Sequence, residues 1–166
     1  MRSALNRKLF AIALISASGL AFGGDEHRQH TQFVAVLSGQ VAGVRADAER
    51  CPNPSHPLRI DVSGTAQTLL GKAQYTQTHC EDNDHTVVTL GVLSMSFADG
   101  SNLVSAYHAN IFATPTTATD NRFVVSGQYH DTGGTEALAK VHGMGVYAGM
   151  VDVSTFTVVV ALDGTL

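Results

Sequence analysis

From Gln32 onward no twelve-residue stretch keeps a helical apolar stripe, and this feature constrains the fold more than any other. Val and Thr recur instead in short runs, cut at intervals by turn-forming residues. Asp99-Gly100 is the sharpest cut, because both residues tolerate positive φ. Residues 32–44, 58–67, 72–79, 85–97, 101–112, 122–130, 146–151 and 155–162 read as about eight strands. Residues 58–67 and 72–79 also fit one long strand bent near Gly71. Residues 45–57 form a polar loop, in which Pro52, Pro54 and Pro57 bar a central strand. An acidic turn falls at 81–84, a Thr-rich loop at 114–120, and a turn with Gly133-Gly134 at 131–135. Residues 137–142 suit either a short strand or one helical turn.

Strands joined by such short turns must bury one face and cover their edges. Closure into an eight-stranded antiparallel barrel does both, and a two-sheet sandwich is the competing solution. Glycines at 64, 91, 127, 143 and 145 favour the barrel, since a tightly curved wall needs places where the backbone coils sharply. A transmembrane barrel would want aromatic girdles, and the chain has no Trp and four Tyr.

Ahead of the strands lies a different text. Arg2, Arg7 and Lys8 precede an apolar run from Leu9 to Phe22, which ends in Ala21-Phe22-Gly23. Basic, apolar and small residues in that order are the grammar of a cleaved export signal, assigned to residues 1–23. The run is about 14 residues, short of the roughly 20 that a spanning helix needs. Cleavage there leaves a tail at 24–31 and a barrel domain at 32–166, in a bacterial periplasm or outside the cell. In that oxidising setting Cys51 and Cys80, the only cysteines, are expected to form one disulfide closing a stretch of 29 residues.

Net charge excludes one class of partner. The chain carries 10 Lys plus Arg against 14 Asp plus Glu, a balance of −4. Loss of three basic residues with the signal would deepen it to 7 − 14 = −7. An acidic chain of this kind is not built to bind nucleic acid, and no stable membrane insertion is expected of the mature domain.

Three segments carry a family likeness. Ser63-Gly64-Thr65-Ala66 through Leu70-Gly71-Lys72, Leu93 through Asn102, and Val125-Ser126-Gly127 through Gly133-Gly134-Thr135 resemble exported bacterial barrels similar to the allene oxide cyclase and dirigent proteins. The resemblance spans residues 57–162 and implies an eight-stranded antiparallel, calycin-like barrel with a cavity. In the plant cyclase such a cavity steers ring closure of a fatty-acid epoxide, and in dirigent proteins it steers radical coupling. None of those functional residues matches a motif here, so none is carried over. The chain departs from the pattern after Thr135: Glu136 and Ala139 stand where glycines would, and Leu138 takes the place of an aromatic anchor.

Strand alternation sorts the remaining candidates. Leu103, Ser105, Tyr107, Ala109 and Ile111 share one face, and Phe123, Val125, Gly127 and Tyr129 another. These faces read as the lumen, with Tyr75 joining them from residues 72–79. Tyr75, Tyr107 and Tyr129 are the candidate ligand contacts, offering phenolic protons to a ligand oxygen; ordinary core packing is the competing reading. His108, Gln128 and His130 fall on the opposite faces, with His142 nearby, and read as a wet outer wall. His27 and His30, next to Asp25 and Glu26, read as a solvated tail rather than a metal site. No cofactor is called for. The chain lacks a Gly-x-Ser-x-Gly elbow, an HExxH pair, a phosphate loop and a Cys-x-x-Cys, and no catalytic residue is assigned.

Three functions stay open. The first is an exported barrel binding a small apolar or amphipathic ligand. The second is a cyclase or isomerase acting in the cavity. The third is a solid-packed structural or interaction protein, which includes a homo-oligomer.

Overall fold

A computed structural model of the protein describes residues 31–113 and 121–166. The export segment, His27, His30 and the Thr-rich loop at 114–120 lie outside the described residues. Eight strands run β1 (Gln32–Ala46), β2 (Leu58–Thr68), β3 (Gly71–Glu81), β4 (Val87–Phe97), β5 (Asn102–Ala113), β6 (Arg122–Gly134), β7 (Met144–Asp152) and β8 (Thr157–Thr165). Each pairs antiparallel with its sequence neighbours, and β8 pairs back onto β1 to close the barrel. The sandwich is thereby excluded.

Residues 58–81 are a hairpin rather than one bent strand, with Thr68 opposite Gly71. Gly71 takes φ +116, a conformation that favours glycine, and the Thr68 hydroxyl spans the turn to the Gly71 carbonyl at 2.8 Å. Other turns are built by aspartate side chains that accept from backbone N–H groups ahead of them. Asp99 accepts from Ser101, Asp152 from Ser154, and Asp82 from Thr86 and Val87.

Of the two readings of residues 137–142 the helical turn is the one found, as a 3₁₀ turn over Glu136–Leu138, and no strand forms there. Leu138 is buried and packs as the anchor of this corner. Glu136, standing where the resemblance puts a glycine, keeps a glycine-like backbone with φ +50.

Inside, the strands alternate as a half-buried sheet should. The end of the barrel closed by the β2–β3, β4–β5 and β6–β7 connections is solid. Phe33, Leu37, Leu93, Met95, Leu103 and Leu162 fill it without solvent exposure. All four tyrosines face inward, and each lies opposite a glycine on a neighbouring strand. The pairs are Tyr75 with Gly64, Tyr107 with Gly91, Tyr129 with Gly145, and Tyr147 with Gly127. A side chain on Gly91 would come within 2.7 Å of the Tyr107 ring, so the glycine leaves the room that the aromatic occupies.

Cys51 and Cys80 form the disulfide, with Cα atoms 5.6 Å apart. Cys80 sits at a register shift in β3, between Thr78 and Cys80 against β4. His79 and Glu81 are buried on either side of it in sequence, and residues 47–57 are tied over Cys80 from outside by the bridge.

Candidate functional site

The described residues do not fill the opposite end of the barrel, where β1, β3, β5 and β7 finish. A cavity of about 540 Å³ opens there. Val41, Val44, Ile60, Ile111, Phe123, Val151, Val153 and Phe156 give it an apolar wall. Among the described residues its polar lining is confined to the β3–β4 corner: Glu81, Asp84 and His85. Two rim residues take left-handed backbone, His85 at φ +54 and Phe156 at φ +54. The Phe156 carbonyl is pinned by the Val41 N–H at 2.9 Å.

Below this cavity a recess of about 50 Å³ reaches toward the barrel centre, lined in part by Gln77, His79, Glu81, Tyr107 and Tyr147. These side chains form a hydrogen-bonded chain. The Tyr107 hydroxyl lies 2.7 Å from His79 Nδ1, and His79 Nε2 lies 2.8 Å from Glu81 Oε1. Glu81 Oε2 contacts His85 Nδ1 at 2.5 Å. Beside this chain Gln77 Nε2 donates to the Tyr147 hydroxyl at 3.0 Å, and the Tyr107 and Tyr147 rings stack with centroids 4.9 Å apart.

Charge follows from these contacts. Burial pushes the Tyr107 phenol well above its ordinary value, so it is protonated and donates. The hydroxyl donates to His79 Nδ1, and the other ring nitrogen, Nε2–H, donates to Glu81. Burial opposes ionisation of Glu81, but hydrogen bonds from His79 and His85 outweigh it and hold the carboxyl below its usual range. The chain thus points its protons at one buried carboxylate on the floor of an apolar cavity.

Of the three tyrosines singled out from sequence, the structure brings only Tyr107 to this site. Tyr75 and Tyr129 face inward as expected but line neither the cavity nor the recess. Their hydroxyls are buried without a hydrogen-bond partner among the described residues, and burial pushes both phenols up to about 12. Gln77, His79, Glu81, His85 and Tyr147 were not singled out. Tyr75, Gln77, His79 and Glu81 nonetheless alternate along β3, and that pattern is the signal that could have found them.

A second buried carboxylate lies nearer the packed end. Asp131 accepts from the Ser105 hydroxyl at 2.6 Å and from the Gly143 N–H at 3.2 Å. Burial raises its carboxyl despite those bonds. On the outer wall His108 lies opposite Gln128, and His130 opposite Ala106, all outward-facing. Among the described residues no group of three or more His, Cys, Asp or Glu side chains converges to hold a metal ion. No described helix is long and apolar enough to cross a membrane.

No family model, no curated protein and no solved structure matches the chain.

Proposed function

We propose that this chain is an exported β-barrel that holds a small amphipathic molecule at its open end. The apolar body would occupy the mouth cavity, and a polar group would reach the Tyr107–His79–Glu81 chain. The cavity carries the reading. Its volume of about 540 Å³ falls within the range of small-ligand sites, and the few polar groups among its described liners converge on one corner. A barrel packed from end to end would offer no such space, which favours this reading over a purely structural one. Among the three tyrosines, Tyr107 is the one we retain as a ligand contact, joined by Tyr147.

Fluorescence of N-phenyl-1-naphthylamine, an apolar probe neutral at pH 7, tests the proposal. It should brighten on addition of the protein, and Val151→Phe, which narrows the cavity, should weaken its binding. A probe that stays dim would remove the ligand-binding reading.

A second reading rests on the hydrogen-bonded chain itself. A tyrosine linked through histidine to a buried carboxylate can move a proton to or from a bound substrate, as a cyclase or isomerase requires. Turnover lost in Tyr107→Phe, with probe binding retained, would support it.

Export of the mature domain is part of the proposal and rests on residues 1–23. N-terminal sequencing of the native protein should find a start near Gly24. A native chain beginning at Met1 would refute it.

A further inference from the structure

We infer that the molecule held at the barrel mouth is a cation: an amphipathic amine whose ammonium sits against Glu81 and Asp84 while its apolar body fills the cavity. The inference rests on the ligand-binding reading above and adds the charge of the ligand to it.

The argument begins with what the cavity lacks. Among the described residues no lysine or arginine lines it, so a carboxylate or sulfate head would meet no ammonium or guanidinium. Three arginines on β1, β2 and the β1–β2 connection are engaged elsewhere. Arg59 bridges Asp47 and Asp61 at 3.1 and 3.0 Å, Arg45 bonds Asp61, and Arg50 donates to the Leu90 carbonyl. What the cavity offers instead is Glu81, whose carboxylate is buried yet held ionised, with Asp84 on the adjoining turn.

Glu81 retains acceptor capacity. A carboxylate presents about four lone-pair sites, and the two imidazoles occupy one on each oxygen. His85 is half-exposed, so it can give way to an incoming donor, whereas His79 is buried and fixed between Tyr107 and Glu81. An ammonium has three donors and no acceptor, and suits this corner. Glu81 is buried beside an apolar wall, which strengthens the attraction at its carboxylate. A neutral alcohol would fit the same space without that attraction, and a fatty-acid anion would be repelled by it.

Displacement of bound N-phenyl-1-naphthylamine by three ligands with one tail tests this. Decylamine, decanol and decanoate, each below its micellar concentration at pH 7, differ only in the charge of the head. Decylamine should compete about tenfold better than decanol, the scale of one charge-assisted hydrogen bond, and decanoate worst of all. Glu81→Gln should bring decylamine to within about twofold of decanol. Should that variant fail to fold, Asp84→Asn on the exposed turn should still reduce the preference, and added salt should do so in the wild type. Decanoate competing as well as decylamine would overturn the inference while leaving the cavity as a binding site. So would a preference for decylamine unchanged by both substitutions. If the probe itself does not bind, the underlying reading fails and this one with it.

Discussion

Two tyrosines that look alike in sequence should respond to loss of a hydroxyl with opposite signs. Tyr75 and Tyr107 are both buried and both face glycines across a strand pair. The Tyr75 hydroxyl has no hydrogen-bond partner among the described residues and abuts the backbone at Gly39. Burying a hydroxyl unpaired costs about 1–3 kcal/mol on mutational scales. Tyr75→Phe removes that cost and leaves a void of one oxygen atom. At roughly 24 cal/mol per Å³ a void of about 10 Å³ costs only a few tenths of a kcal/mol. The variant should therefore gain about 1 kcal/mol. Tyr107→Phe instead deletes the donor to His79 Nδ1, and a buried acceptor left alone costs about 1–3 kcal/mol. Guanidinium unfolding followed by circular dichroism, with the disulfide intact, would read both. For a domain of this size 1 kcal/mol corresponds to a shift of about 4 °C in Tm. If Tyr75→Phe lost 1 kcal/mol or more, the hydroxyl would have a partner after all and the reasoning would fail. A neutral Tyr107→Phe would refute the chain at the cavity floor.

Three further outcomes follow from the same structure. Cys51→Ser with Cys80→Ser should cost about 3–4 kcal/mol by loop entropy for a 29-residue separation, measured as the drop in unfolding free energy. Gly127→Ala should cost more than about 3 kcal/mol or prevent folding, because a methyl there would meet the His108 carbonyl and lie 2.6 Å from the Ala109 Cα; calorimetry would show a lower Tm or no transition. The Glu81 carboxyl is held below its unfolded value of 4.5, so its stabilisation is complete above that pH and lost as pH falls through the folded value. Glu81→Gln should accordingly flatten the acid limb of a stability–pH curve, and an unchanged limb would contradict the assignment.

The barrel was legible wherever local chemistry and alternation agreed. Asp99-Gly100 forms its hairpin, with Gly100 at φ +88, and the inward sets on β5 and β6 are those that period-two alternation gives. The β2–β3 hairpin was ambiguous because Leu69 and Leu70, both exposed, occupy its tip where polar turn residues would ordinarily stand. Only Gly71 marked it.

The site was harder to read. Tyr107 on β5 meets His79 on β3, across an intervening strand, and no local pattern records a contact between strands that do not pair. Glu81 sits beside Asp82, Asn83 and Asp84, so it reads as part of a solvated acidic turn. The structure instead extends β3 to Glu81 and turns its side chain inward. Tyr147 lies among Gly145, Ala148 and Gly149, where small residues give little hydrophobic signal to set an inward face.

Asymmetry along the barrel axis has a dynamic consequence. At the packed end, exposing a backbone amide to solvent means disturbing Phe33, Leu93, Leu103 and Leu162 together, which amounts to unfolding the whole domain. At the mouth, strand ends can separate briefly without touching that core. Amide hydrogens there should exchange through small local openings, and those of the packed half only through global ones. The open end can then loosen while the other half preserves the register of all eight strands.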